Sequence, residues 1–237
     1  LAACSHGLYA SIDLLGRLYT RHALPARRVL QVAFVSYTFN LNMGSLLGGV
    51  GLRLRLYSRL GLDVGSIAQV VSLSMLTNWL GYLLLAGAVF AFHPPPLPAA
   101  WPVGEGGLRA VGLALLVVVA LYVALCVGGR RRRVRLRGWV LPLPPGRLVA
   151  WQLAVASANW ATMGALVWTL LRGQAPYPHV LAVLLLAAVA GILTHVPANL
   201  GVLEAVFLTL LGPALGDTRV LAALLVYRAL YYLGPWV

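Results

Sequence analysis

Long apolar stretches separated by short polar segments dominate this chain. Crossing a bilayer as a helix takes about 20 predominantly apolar residues. Four stretches meet that length or come close to it: Ile67–Phe92, Leu108–Val127, Leu148–Leu171 and Val220–Trp236. Leu1–Leu18 predicts a fifth span, clipped at its start because the chain begins inside an apolar run without Met. The pattern therefore predicts an all-α fold, a polytopic α-helical membrane protein, of which this chain is a fragment.

Two polar breaks that contain glycine interrupt the apolar sequence. The first, Phe39–Gly44, continues through Gly48, Gly49 and Gly51, and the second, Thr194–Gly201, is followed by Glu204. Membrane helices avoid such breaks unless the backbone there is buried in protein or lines a cavity. Paired interruptions in the two halves of a membrane protein are the best sequence indication of a transport site.

Composition supports the membrane class. The 237 residues are 61% hydrophobic and 10% charged, with a mean hydropathy of +0.87, whereas soluble domains carry about 25% charged residues. The net charge is +13, and arginine supplies the positive charge because the chain has no lysine. These arginines follow the positive-inside distribution of membrane loops, which argues against a nucleic-acid binder. Cys4 and Cys126 form no metal-binding spacing, and neither a metal nor another cofactor is expected.

Arginine placement predicts the orientation of the first half. Six arginines place the loop Gly129–Arg137 in the cytoplasm, and those of Arg21–Arg28 and Arg53–Arg59 belong on the same side. The segment between the last two, Val29–Leu52, then begins and ends in the cytoplasm and cannot be one full crossing. It is predicted to be a re-entrant hairpin with its tip at Asn40–Asn42.

The depth of this tip follows from helix length. The entering arm Val29–Phe39 and the leaving arm Met43–Leu52 are both short. Eleven helical residues rise about 16 Å, roughly half of a 30 Å hydrocarbon core. The tip is therefore predicted near the midplane of the bilayer.

The second half predicts the same design from the opposite face. Pro178–Thr194 enters and Val202–Leu211 returns, which makes a second hairpin. The whole chain, residues 1–237, is then a single transmembrane domain made of an inverted repeat of span, re-entrant hairpin and span. Residues 1–92 form the first repeat, 108–128 a linking helix that inverts the second copy, and 148–237 the second repeat.

Three ordered motifs carry a family resemblance. Gly48–Tyr57 reads GGVGLRLRLY, His195–Glu204 reads HVPANLGVLE, and Tyr227–Pro235 reads YRALYYLGP. Together they resemble the lysylphosphatidylglycerol synthase transmembrane-region family, which includes the flippase half of the multiple peptide resistance factor. One departure is Ala198-Asn199, where the family has a glycine pair; Asn tolerates left-handed backbone angles.

The resemblance implies a multi-pass protein of the bacterial inner membrane that moves an anionic or aminoacylated phospholipid between leaflets. The expected partner is thus a membrane phospholipid, with assembly into a homo-oligomer left open. Three alternatives remain. The chain is the membrane half of an aminoacyl-phospholipid synthase with a catalytic domain beyond Val237, a small-solute transporter with similar repeats, or a scaffold that transports nothing. No catalytic constellation appears among these residues.

Charged residues in apolar surroundings are the main candidates for a substrate site. Arg53 and Arg55 suit a lipid phosphate because the guanidinium fork donates two parallel hydrogen bonds; the alternative is a positive-inside anchor, which is all that Arg59 is expected to be. Glu204, an acid costly to bury, is a candidate for binding an amine or a proton. Its alternative is a structural ion pair with Arg228 or with an arginine of the first hairpin.

Each of the other candidate residues has a structural role as the alternative to substrate binding. Asp13 either balances headgroup charge or pairs with Arg17 four residues on. Arg228 is deep enough to need an internal partner, whereas Tyr231 and Tyr232 are predicted to form an interfacial belt. The remaining candidates are polar residues of the breaks and a tyrosine on the helical face of Arg53: Asn40, Asn199, His195 and Tyr57. Capping of freed backbone groups is the alternative for the asparagines, and a turn position for His195.

Overall fold

The computed structural model describes residues 1–98, 101, 103–128, 133–136, 139–194 and 196–236. Nine α-helices make up most of these residues: α1 Ala2–Thr20, α2 Ala26–Met43, α3 Leu52–Arg59, α4 Val64–Phe92, α5 Glu105–Gly128, α6 Gly146–Leu170, α7 Tyr177–Thr194, α8 Val202–Leu215 and α9 Asp217–Arg228. Wider π-helical turns follow α2 and α9 at Ser45–Gly51 and Ala229–Leu233, and short 3-10 turns occupy Pro197–Asn199 and Gly234–Trp236. The all-α prediction is confirmed.

A short hairpin interrupts the helices. Strand β1 (Arg133–Leu136) pairs antiparallel with β2 (Trp139–Pro142), with Arg133 opposite Pro142. Of the arginine loop 129–137, only residues 133–136 are among those described, and the prediction that it is a plain loop missed this strand. The prediction of its cytoplasmic side stays a prediction.

Among the described residues, four helices are long and apolar enough to cross a membrane: α4, α5, α6 and α7. The first three coincide with predicted spans. The segment predicted as the span Val220–Trp236 is helical but not uniformly α-helical, because α9 ends at Arg228 and the chain continues as a π-helical turn and a short 3-10 turn. Its crossing of the membrane stays a prediction. Leu1–Leu18 forms α1, whose polar residues, among them Asp13, leave it less apolar than those four helices.

Helix α4 is the centre of the packing, in contact with α1, α5 and α6. Glycines permit the close approaches. A Cβ added at Gly81 of α4 would lie 2.4 Å from the Cβ of Ala156 in α6, and Gly112 of α5 meets α4 at Gly87 in the same way.

The order of the contacts sets the direction of each neighbour. Residues 77 and 81 of α4 meet residues 152 and 156 of α6, so these two helices run parallel. Ser74 and Val70 meet residues 13 and 16 of α1, which therefore runs antiparallel to α4. The C-terminal end of α1 and the N-terminal ends of α4 and α6 thus share one face of the bundle.

The first break is a backbone-on-backbone contact. At Gly44, φ is 87°, and the π-helical turn that follows folds back along α2. A Cβ added at Gly48 would lie 2.1 Å from the backbone nitrogen of Asn40, so this crossing needs glycine. The turn therefore lies at Gly44, later than predicted, and Asn40 belongs to the last turn of α2.

The arm that leads into this break is also longer than predicted. Helix α2 has 18 residues, about 27 Å of rise, against the 16 Å expected for Val29–Phe39. Apolar pattern alone missed the first turn of helix, because it contains Arg27 and Arg28, which snorkel readily at a membrane surface. The re-entrant path, the depth of the tip and the inverted repeat stay predictions.

The second break keeps a left-handed backbone without a glycine pair. Ala198 and Asn199 have φ of 53° and 57°, and Gly201 follows with 78°. Asn199 is held in place, because its Nδ2 donates to the carbonyl of Ala187 at 3.2 Å. Its side chain also packs where a Cβ on Gly191 would lie, 1.9 Å from the amide oxygen. Ala198-Asn199, which stands where the family pattern has a glycine pair, therefore adopts the left-handed backbone conformation that glycine favours.

Replacing Gly48 by alanine tests the first break. We expect Gly48→Ala to lower stability by about 1–3 kcal/mol, the usual effect of overpacking, because the new methyl group meets backbone that cannot move aside. The matched control is Gly7→Ala, where an added Cβ on α1 meets nothing within 4 Å. Thermal unfolding in detergent measures both, and equal melting temperatures would contradict this backbone contact.

Candidate functional site

A cavity of about 420 Å³ lies at the centre of the bundle, where both breaks line it. Asn40, Gly44 and Gly49 reach it from the first break, and Ala198 and Asn199 from the second. Helices α1, α4, α6 and α7 supply much of the remaining wall. The two interruptions that stand out in the sequence, about 150 residues apart in the chain, thus meet at one place.

A buried ion pair forms one end of the cavity. Arg53 Nε and Nη2 donate to Asp13 Oδ2 and Oδ1 at 2.9 and 3.2 Å, with the side chains 3% and 0% exposed. Tyr57 donates to Oδ2 at 2.9 Å and Ser74 to Oδ1 at 2.6 Å. Asp13 therefore accepts four hydrogen bonds, and the predicted alternative of an Asp13–Arg17 pair is wrong, because Arg17 bonds the Leu24 carbonyl instead.

The pair leaves Arg53 with donors to spare. Its Nη1 donates to the carbonyl of Gly49 at 3.0 Å, and its guanidinium carbon lies 5.8 Å from the centre of the Tyr9 ring. A guanidinium has five N–H groups, and three are engaged by described residues. Arg53 lines the cavity, so two N–H groups remain for a ligand there.

A second ion pair closes the second break. Arg228 Nε and Nη2 donate to the two carboxylate oxygens of Glu204 at 2.5 and 2.9 Å, and the Gly201 nitrogen donates to the same carboxylate at 2.9 Å. Arg228 also donates to the carbonyls of Ala198 and Asn199, both at 2.9 Å. The predicted alternative for Glu204, a pair with Arg228, is therefore present, and it ties α9 to the left-handed turn.

An aromatic chain connects the two ion pairs. From Arg53 it runs through four rings to Arg228: Tyr9, Tyr37, Tyr231 and Tyr232. Tyr9 and Tyr37 are stacked with centroids 3.6 Å apart, and Arg228 lies 5.2 Å from the Tyr232 ring. These contacts place α1, α2 and the turn after α9 against one another.

Hydrogen bonds fix the middle of the aromatic chain. The hydroxyl of Tyr231 lies 2.7 Å from those of Ser5 and Tyr37, and Ser5 donates to Asn159 at 2.6 Å. Tyr231 is fully buried, so its predicted place in an interfacial belt is wrong; Tyr232 is half-buried beside it. Tyr231 lies four residues after the buried Tyr227 and stacks on it with centroids 5.2 Å apart, so both rings face the core.

Comparison with known proteins identifies the chain. Residues 9–237 match the family described as the Lysylphosphatidylglycerol synthase TM region. The chain belongs to this family. Inner membrane protein YbhN of Escherichia coli is 44% identical over 236 residues, 99% of this chain and 74% of that protein. Uncharacterized protein slr0712 of Synechocystis is 32% identical over 226 residues, 94% of this chain and 70% of that protein.

The three family motifs meet around the cavity. The first supplies Gly49 and Arg53 to the lining, the second Ala198 and Asn199, and the third Tyr227 and Tyr232. The family assignment predicted from the motifs is thus confirmed, and the structure gives those residues contacts that the motifs alone do not show.

Other sequence candidates lie elsewhere. Arg55 is exposed and does not line the cavity, because it points away from the face that carries Arg53 and the buried Tyr57. Asn40 and Asn199 both line the cavity, and Asn199 also caps the Ala187 carbonyl. His195 lies outside the described residues, so its predicted role stays a prediction.

Sequence reasoning missed the aromatic wall of the cavity. Helix α4 carries Ser74, Asn78 and Tyr82 at intervals of four, a polar stripe on one face of an apolar helix. All three line the cavity, together with Trp79 of α4 and Trp160 of α6. That stripe was the available signal, and it points to a polar face inside the bundle.

Proposed function

We propose that this family member moves a phospholipid between the leaflets of a bacterial inner membrane, the membrane named for YbhN. The observation that carries the proposal is the amphipathic lining of the cavity. Its interior presents Arg53 and polar side chains, whereas its rim includes Met75, Trp79, Ile192 and Val196, each between 36% and 48% exposed. A molecule with a charged headgroup and apolar tails matches that lining.

The rim lies between α4 and α7. The two helices touch where Tyr82 donates to the Leu185 carbonyl at 3.0 Å. On one side of this contact, toward Met75 of α4 and Ile192 of α7, the cavity lies between them. That is the side on which α4 begins, and the arginine distribution predicts it to be cytoplasmic. A lipid therefore enters sideways from the inner leaflet, headgroup first.

The phosphate binds at Arg53 in this proposal. Two of its N–H groups are free for an acceptor, and arginine donates well to phosphate. Asp13 holds the guanidinium in place without occupying those donors, and Asn40 lines the same cavity. Arg55, exposed outside the cavity, has no part in the clamp.

Two alternatives fit less well. A site for small water-soluble solutes has no need of an apolar rim that opens toward lipid. A synthase would require a catalytic domain of about 300 residues. Only about a quarter of YbhN lies outside the matched region, which is too short for such a domain. The amphipathic cavity therefore favours a translocator.

Filling the cavity tests the proposal. We expect purified protein in liposomes to speed leaflet exchange of labelled phospholipids, and Ala188→Trp to slow it by at least about tenfold, which corresponds to about 1.4 kcal/mol in the barrier. Ala188 lines the cavity, and the indole would fill it.

The control is a tryptophan on the outer surface. Val118→Trp places the same side chain on α5, where Val118 is 50% exposed, and exchange should stay at the wild-type rate. Exchange no faster than in protein-free liposomes, or an Ala188→Trp rate equal to wild type at equal reconstitution, would reject a translocator that uses this cavity.

A further inference from the structure

We infer that the cavity selects a zwitterionic headgroup, whose phosphate lies at Arg53 and whose ammonium lies against an aromatic cage of Trp79, Tyr82 and Trp160. This inference rests on the proposed function and narrows its substrate class. It departs from the anionic or aminoacylated lipid that the family resemblance implies, because a zwitterion brings no net charge into the site.

Charge balance is the first argument. Among the described lining residues, Arg53 is the one formally charged side chain, and Asp13 neutralises it. The second pair, Glu204 with Arg228, is neutral as well. A headgroup with net negative or positive charge would enter an apolar surrounding without a counter-charge, which is costly. A headgroup that carries both charges satisfies each one locally.

The cage supplies the surface for an ammonium. The rings of Trp79 and Tyr82 lie 5.4 Å apart at an interplanar angle of 75°, and those of Tyr82 and Trp160 lie 5.5 Å apart at 73°. Rings inclined so steeply present their faces in more than one direction. Cations bind aromatic faces within about 6 Å of the ring centre, and tryptophan binds them best.

Two rings of the cage are held in place before any ligand arrives. Tyr82 donates to the Leu185 carbonyl at 3.0 Å, and Trp160 Nε1 donates to the Asn78 carbonyl at 3.3 Å. Pre-organised rings lose little conformational entropy when a cation binds. The cage is therefore built for contact rather than assembled around the ligand.

The opposite wall of the cavity already has its cations. Arg53 lies over Tyr9 and Arg228 over Tyr232. Within the described part of the chain, no arginine lies over any of the three cage rings. The wall formed by α4 and α6 is thus the one that lacks a cation, and a ligand ammonium supplies it.

The spacing along α4 suits a compact headgroup. Ser74 touches the Asp13–Arg53 pair, and Trp79 follows five residues later, about 7.5 Å along the helix axis. Asn78 lines the cavity between them. A phosphate and an ammonium joined by a two-carbon link span less than this rise, and hydrogen bonds of about 2.9 Å at the phosphate and an ammonium–ring contact of up to about 6 Å make up the difference. Glu204, the sequence candidate for binding the amine, already accepts three hydrogen bonds from Arg228 and Gly201.

Headgroup competition in liposomes tests the inference. We expect wild-type protein to exchange phosphatidylethanolamine about tenfold faster than phosphatidylglycerol or a lysyl ester of phosphatidylglycerol. Trp79→Leu should remove that preference by slowing phosphatidylethanolamine alone, and Trp79→Phe should retain part of it, since phenylalanine binds cations more weakly. Trp151→Leu, a matched change on α6 where the indole is 55% exposed outside the cavity, should preserve it. Equal rates for the three lipids above the protein-free background, or equal slowing of all three in Trp79→Leu, would overturn the cage.

A binding measurement separates this inference from the proposed function and from a soluble amine as ligand. Glycerophosphoethanolamine and glycerophosphoglycerol are titrated into detergent-solubilised protein. Preference for the amine, lost in Trp79→Leu, supports the cage even if no lipid moves in liposomes, in which case translocation alone is rejected and the site also accepts a ligand without lipid tails. Absence of any preference in the titration likewise rejects the cage, whatever the exchange rate.

Discussion

Arg53→Lys should lower the free energy of unfolding by about 3 kcal/mol and reduce lipid exchange at least about tenfold. Lysine keeps the positive charge, but an ammonium cannot bridge both oxygens of Asp13 and reach the Gly49 carbonyl at once. The buried carboxylate would lose a charged partner of matching shape, and the two N–H groups of Arg53 that no described residue engages would be gone.

Arg59→Lys is the matched control for this change. Arg59 ends the same short helix, is exposed, and makes no ion pair within the described residues. Melting temperature in detergent and exchange rate in liposomes should both remain close to wild type. If the two lysine variants behave alike at equal expression, the Asp13–Arg53 pair has no special role and both arginines are only positive-inside anchors.

Glu204→Gln should lower stability by about 2 kcal/mol, typical of a charged hydrogen bond inside a protein, and slow exchange with it. The amide offers one acceptor oxygen where the carboxylate offers two, and Arg228, only 12% exposed, is left without its counter-charge. Thermal unfolding and liposome exchange measure the two effects. Glu105→Gln, an exposed acid at the start of α5, is the control and should change neither.

Exchanging the two charges of this pair distinguishes geometry from simple attraction. In the double variant Glu204→Arg with Arg228→Glu, a carboxylate at position 228 would face the carbonyls of Ala198 and Asn199, which now accept hydrogen bonds from Arg228. We therefore expect no recovery of stability relative to Glu204→Gln. Wild-type melting of the double variant would show that the pair acts by charge alone, in either orientation.

Hydrophobic pattern and motifs were sufficient for the class, the family and the three spans that became α4, α5 and α6. Each of these depends on a property of the local sequence, either a run of apolar residues or a motif. The breaks were also visible locally, because clustered glycine and asparagine interrupt otherwise apolar runs. The turn was misplaced, at Asn40–Asn42 instead of Gly44, since α2 continues to Met43 and ends at Gly44, whose φ is 87°.

Partnership between distant residues could not be predicted in the same way. Asp13 and Arg53 are forty residues apart, and a pattern along one helix offers Asp13 only the nearby Arg17. Tyrosine favours the membrane interface, and the local sequence does not reveal that Tyr231 faces the core beside Tyr227. The sequence alone does not distinguish Arg53 from Arg55, whereas the helix places Arg53 at the cavity and Arg55 on the surface.

The aromatic chain from Arg53 to Arg228 has a mechanical consequence. Each tyrosine has only two side-chain torsions, and adjacent rings in a close-packed interior transmit a displacement rather than absorb it. A shift of α2 at Tyr37 therefore pushes on Tyr231 and on the turn after α9, which Arg228 anchors to the second break. We therefore expect the two breaks to move together.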